Sequence, residues 1–213
     1  MTDDADRHPA EKAMEDRPSL AHLEEAAETC TACELYKNAT QTVFGDGSAS
    51  AKIMLLGEQP GDEEDKQGEP FVGPAGAVLA NALKEAAIEK ADVYITNVVK
   101  HFRWKFGAGK KRLHQKPATR HVQACRPWLE AELALVDPAV VVTLGASASQ
   151  AILGNDIRVT EDRGEIFEWE GYLVIPTLHP SAALRAPEAE DRRRIREQIV
   201  EDLRKAHGLA GGQ

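Results

Sequence analysis

Aspartate and glutamate are missing from Lys100 to Trp128, in a chain whose acidic residues otherwise outnumber the basic ones 35 to 26. That same stretch holds Lys100, Arg103, Lys105, Lys110, Lys111, Arg112, Lys116, Arg120 and Arg126. Charge segregated in this way is the footprint of a polyanion site, although a solvated basic face has the same composition. No apolar run approaches the roughly 18 residues of a membrane-spanning helix, so no membrane partner is expected. The N-terminus, Met1-Thr-Asp-Asp-Ala-Asp, lacks the basic-then-apolar form of a secretory signal. A cytoplasmic protein is therefore expected. Three cysteines cannot all pair with one another, and in a reducing compartment metal binding and plain burial compete for them. Internal repeats are absent.

What is present alternates between short apolar runs and helical patterns. Residues 1–18 are polar and charged, and read as a disordered tail ahead of a single domain over 19–209. Ser19 reads as the N-cap of a helix through about Glu28. Next comes Cys30-Thr-Ala-Cys33, a spacing shared by zinc sites and iron–sulfur clusters. Ile53-Met-Leu-Leu56 has the length of a buried strand and stops at Gly57-Glu-Gln-Pro-Gly61, ahead of the acidic tract Asp62-Glu-Glu-Asp65. Gly68 to Gly76, with Phe71 in its middle, opens an alanine-rich helix; its free N–H groups suit a phosphate, and Phe71 is either a core plug or a stacking platform.

Further strands are expected at Val93–Val99, Ala139–Leu144, Glu165–Trp169 and Tyr172–Thr177, with a helix from about Ala118 to Val136 and another from Glu188 to His207. Phe106 to Pro117 reads as a loop. Strands alternating with helices imply a three-layer α/β/α fold around a mainly parallel, four-stranded sheet. In such folds ligands bind at the carboxyl edge of the sheet. The strand ends there carry Glu58 and Gln59, Asn97, Gly145, and His179-Pro180. A carboxylate, two amides and an imidazole beside a basic strip suit a planar base flipped out of a nucleic acid.

Gly57-Glu-Gln-Pro-Gly61, Pro70-Phe-Val-Gly73, Thr96-Asn-Val-Val-Lys100, Cys125-Arg-Pro-Trp128 and His179-Pro-Ser181 together resemble the signature blocks of the uracil-DNA glycosylase superfamily. The likeness runs from about Cys30 to the C-terminus and is strongest to the iron–sulfur branch, family four. Two features depart from that branch. His101 stands where it has a cysteine, and a glycine-rich stretch ending in Lys110-Lys-Arg-Leu-His114 is inserted. Both features are similar to the UdgX subgroup, whose members become covalently joined to uracil-containing DNA.

The resemblance implies a [4Fe-4S] cluster on Cys30, Cys33, His101 and Cys125. It implies that Phe71 stacks on the flipped uracil, that Asn97 reads its edge, and that the Gln59 N–H and His179 stabilise charge growing on its oxygens. Glu58 would favour the cationic sugar or act on the nucleophile, and His114 would be that nucleophile. Lys110, Lys111, Arg112 and Arg185 would hold phosphates of single- or double-stranded DNA, with the protein a monomer. An ordinary turnover glycosylase is the alternative, and a non-catalytic iron–sulfur module that binds nucleic acid is the alternative of another class. Charge alone would make His114 one more phosphate contact.

Overall fold

The computed structural model describes residues 7–211. Its centre is a six-stranded sheet built from β1 (Asp46–Gly47), β2 (Ile53–Gly57), β3 (Val93–Asn97), β6 (Val140–Leu144), β7 (Phe167–Trp169) and β8 (Tyr172–Thr177). Across the sheet the order is β1-β3-β2-β6-β8-β7. The four inner strands, β3, β2, β6 and β8, run parallel, and each edge is closed by a short antiparallel strand. The expected parallel core is thus present, but the sheet has six strands, not four. The extra edge at β1 is only two residues long and carries no apolar signal, so no periodicity announces it.

Alternation along the strands sorts the core into two halves. Ile53 and Leu55 of β2, with Val140 and Val142 of β6, face α4 (Pro74–Glu85) and α9 (Ala189–Leu209). Met54 and Leu56 face the other way, against α5 (Thr119–Val136) and α6 (Ala146–Leu153). Every residue of β2 and of β6 is buried, as parallel strands covered on both faces require. Between these elements lie the short helices α3 (Asp62–Gln67), α7 (Val159–Asp162) and α8 (Ser181–Arg185).

Among the described residues no helix is long and apolar enough to cross a membrane.

The expected tail is corrected over its described part. Residues 9–16 form a helix, α1 (Pro9–Asp16), which packs on α2 (Leu20–Ala27) and on α5. Its sequence is too polar to announce a helix. Tertiary contact supplies the stability: Ala10 and Ala13 are buried in a cluster with Leu23, Phe44 and Trp128. The expectation for residues 1–6 lies outside the described residues. Ser19 does cap α2, accepting from the His22 N–H.

A second correction concerns residues 106–117. The basic stretch is a two-stranded antiparallel hairpin, β4 (Trp104–Phe106) with β5 (Arg112–His114), in the register Trp104↔His114, Lys105↔Leu113 and Phe106↔Arg112.

Candidate active site

Parallel strands point their carboxyl ends the same way, and four of them deliver residues to one cleft of about 470 Å³. Glu58 and Gln59 come after β2, Asn97 ends β3, Gly145 comes after β6 and His179 after β8. Phe71 and Arg185 also line it, and the hairpin brings His114 over its rim. Two glycines make this convergence sterically possible. A Cβ on Gly57 would collide with Asn97 Oδ1 and come 2.8 Å from the Phe71 ring. Gly145 adopts φ +89°, and a Cβ there would come 2.8 Å from that of His179.

The Asn97 side chain is almost wholly buried yet makes no hydrogen bond among the described residues. Its amide is left to a ligand. Its backbone is braced from below: the buried Lys100 ammonium donates to Asn97 O at 2.9 Å and pairs with the buried Glu132 carboxylate. Phe71 takes φ +56°, a conformation a phenylalanine rarely adopts, and holds its ring 6.1 Å from that of His179. Glu64 fixes this loop against the Glu58 loop. One of its oxygens accepts from Gly61 N (3.1 Å), the other from Gly73 N (2.9 Å). The glycine-rich segment before α4 therefore spends an N–H on a carboxylate, where the sequence suggested a phosphate.

The proton on His179 is set by its neighbours. The Ser181 N–H donates to Nδ1 at 3.1 Å, so Nδ1 carries the lone pair and neutral His179 holds its proton on Nε2. Burial, the Arg185 guanidinium and His114 push its pKa down to about 4. At neutral pH this is an uncharged donor in the cleft.

The proton on His114 can be assigned in the same way. Gln59 Oε1 accepts from the Arg103 N–H at 3.1 Å, which fixes the orientation of the amide. Its Nε2 therefore donates, and at 2.8 Å it faces His114 Nε2. That nitrogen carries the lone pair. Partial desolvation of the half-exposed ring, helped by Arg185 and opposed by Glu58, pulls the His114 pKa below the ordinary imidazole value. Glu58 Oε1 lies 3.6 Å from His114 Nε2 and is buried without a hydrogen-bond partner among the described residues. A nucleophilic nitrogen and an unpartnered carboxylate oxygen thus share one wall. The Gln59 side chain is a brace for the hairpin, and its backbone N–H makes no hydrogen bond among the described residues.

Arg112 is corrected as a phosphate contact. Its guanidinium pairs with Asp62 and, at 2.6 Å, with the fully buried Asp65, and lies over the rings of Phe102 and Trp104. It anchors the hairpin to α3 and so holds His114 in place. Asp62 and Asp65 escaped the sequence reading because an acidic tract of this kind is ordinarily solvated, and their partner lies 47–50 residues away. Replacing Arg112 with alanine would leave Asp65 buried with only Thr40 as partner. The expected cost is about 3 kcal/mol, read as a lowered denaturation midpoint, with the hairpin becoming protease-sensitive.

The rest of the basic strip is also thinned by pairing. Arg120 meets Glu34, and Arg126 meets Glu130 and Glu170. Lys105, Lys110 and Lys111 remain exposed, with no ion pair among the described residues.

Away from the cleft, Cys33 lies within hydrogen-bonding reach of Cys125 and His101. Cys30 accepts from Trp128 Nε1 at 3.3 Å. His101 Nε2 meets Thr42 Oγ1 at 3.1 Å, while its buried Nδ1 makes no hydrogen bond among the described residues. Among the described residues no set of three or more such side chains closes into metal-binding geometry.

Comparison with known proteins agrees with this architecture. Residues 44–204 match the uracil DNA glycosylase superfamily. A type-4 uracil-DNA glycosylase of Thermotoga maritima is 39% identical over 186 residues, covering 86% of this chain and 91% of that protein. Another, of Sulfurisphaera tokodaii, is 34% identical over 201 residues, 90% of this chain and 85% of that protein. A third, of Saccharolobus solfataricus, is 34% identical over 185 residues, 83% and 79% of the two chains. An α/β protein with a cleft of about 470 Å³ at the carboxyl edge of its sheet is thereby placed. The chain belongs to the uracil DNA glycosylase superfamily.

Proposed function

We propose that the protein is a uracil-DNA glycosylase that excises uracil and then stays joined to the deoxyribose through His114, as in the UdgX subgroup. The observation that carries this reading is the His114 Nε2 lone pair, held by Gln59 and Arg112 in the cleft beside the unpartnered Glu58 oxygen.

The target nucleotide leaves its stack at a cost of a few kcal/mol. Phe71 covers the flipped base, and the free Asn97 amide donates to and accepts from its edge. A site that hydrogen-bonds one edge refuses cytosine because its own polar groups would be left unpaired, whereas thymine presents the same edge and is refused only on its 5-methyl group. The bond from C1′ to N1 then breaks heterolytically, and its electron pair departs with the uracil. Negative charge grows on the uracil oxygens, where His179 Nε2–H and the Gln59 N–H donate. Positive charge grows on the sugar, where the Glu58 carboxylate stabilises it, as carboxylates do in glycoside hydrolysis. His114 Nε2 gives its lone pair to C1′, making an alkylated imidazolium that sheds its Nδ1 proton. Proximity favours this over water. The new bond is again N-glycosidic, and an imidazole departs from it only once protonated.

Incubation with a uracil-containing oligonucleotide tests the activity. Free uracil, one equivalent per protein chain, is expected, with none from thymine- or cytosine-containing controls. Continued release beyond one equivalent would favour a turnover glycosylase, and no release a binding module.

Cys30, Cys33, His101 and Cys125 would hold a [4Fe-4S] cluster. The donor set fits: three thiols and an imidazole whose buried Nδ1 makes no hydrogen bond among the described residues. Such a cluster would act as a cross-link among the α2 loop, the residue after the Asn97 block and α5. Purified protein is expected to contain iron and labile sulfide, and removing them should lower the melting temperature. Stoichiometric zinc in their place would contradict this assignment.

A further inference from the structure

Phe106 is the most exposed of the large apolar side chains described, at 67%. It stands on the hairpin that carries the proposed nucleophile, and the register puts the two on one face. Trp104 is opposite His114 and Phe106 opposite Arg112, so Phe106 is a diagonal cross-strand neighbour of His114, about 7–8 Å away. The ring is not loose. It meets Trp104 edge-on, with centroids 4.7 Å apart and planes at 82°. Trp104 is in turn pinned by its Nε1–H to Asn38 O at 2.9 Å and by the Arg112 guanidinium 5.4 Å from its ring. Lys110 and Lys111 follow this ledge in the turn of the hairpin, exposed and without ion pairs among the described residues, while Lys105, opposite Leu113, is on the other face. The segment contains no acidic residue.

We infer that Phe106 is a stacking platform for an unpaired base next to the trapped nucleotide, making the hairpin a subsite for single-stranded DNA. The inference rests on the proposed glycosylase reading for the identity of the strand. The charge around the ring selects a polyanion, and a rigid exposed ring selects a π-face. Single-stranded nucleic acid offers both at once, whereas the bases of an intact duplex are already stacked on one another.

The test is binding of a labelled single-stranded oligonucleotide containing no uracil, and of the matching duplex, measured by fluorescence anisotropy. Because neither probe can be cut, the result is independent of glycosylase activity, and failure of that activity would not be mistaken for failure of this subsite. Phe106→Ala is expected to weaken single-strand binding about tenfold while changing duplex binding less than twofold. Phe106→Tyr should bind like the parent, and Phe106→Leu should behave like the alanine variant. The inference is overturned if Phe106→Ala binds the single strand within twofold of the parent, if leucine substitutes as well as tyrosine, or if duplex binding falls as much. Exposure of the ring keeps these variants folded, which circular dichroism verifies.

Discussion

Replacing His114 with alanine or glycine is expected to abolish the heat- and detergent-resistant complex with uracil DNA while leaving uracil release in place. The substitution removes the nucleophile but leaves Asn97, Phe71 and His179 lining the cleft. Water then reaches C1′, and the variant should release more than one equivalent of uracil per chain and leave an abasic site. The same geometry sets the parent's dependence on pH. Attack requires the unprotonated Nε2, and partial desolvation lowers the His114 pKa below 6.5. The rate of adduct formation should therefore hold its plateau down through pH 6.5 and fall only in more acidic solution. An adduct that persists in His114→Ala would show that another group makes the bond.

The second large effect is expected at His179. Removing one preorganised donor from a site of developing negative charge slows comparable reactions by about 10²–10³. His179→Ala should slow uracil release by that order, with affinity for uracil-free DNA nearly unchanged, since the exposed lysines supply phosphate contacts. Linkage gives an independent readout. The folded-state pKa of about 4 lies below the unfolded value near 6.5. Between those values the unfolded chain binds a proton that the folded chain refuses. This group's contribution therefore makes the fold less stable as pH falls through that window and has no effect above it. In His179→Ala the dependence should be shallower over that range. Equal slopes in parent and variant would mean that His179 is not held neutral.

Glu58, Gln59, Asn97 and His179 could be found from sequence because each lies at the end of a strand, where an apolar run stops abruptly. Ile53–Leu56 and Val93–Val99 are strongly patterned, and the polar residues at their ends have no packing role to explain them. The hairpin could not be found this way. Its strands are three residues each, rich in cations, and turn through Gly107 to Lys110, so local pattern favours a loop. Its order comes from Arg112 reaching Asp62 and Asp65, a partnership between residues far apart in the chain. The same holds for α1, which acquires its stability from contact with α2 and α5. Glu64 was legible in principle, as the fourth residue of a Gly-x-x-Glu capping pattern, but its second bond, to Gly73, was not. The tautomers of His114 and His179 were beyond sequence altogether, because each is set by a single neighbouring N–H.

His114 Nε2 is expected to end bonded to the sugar from which uracil has left. Peptide mapping by mass spectrometry, after reaction with a short uracil-containing single strand and digestion of protein and DNA, tests it most directly. The expected product is a peptide containing His114 whose added mass is that of the deoxyribose phosphate remnant without uracil, with fragmentation placing it on the imidazole. Unmodified His114 in protein that has released uracil, or the added mass on any other residue, would contradict it.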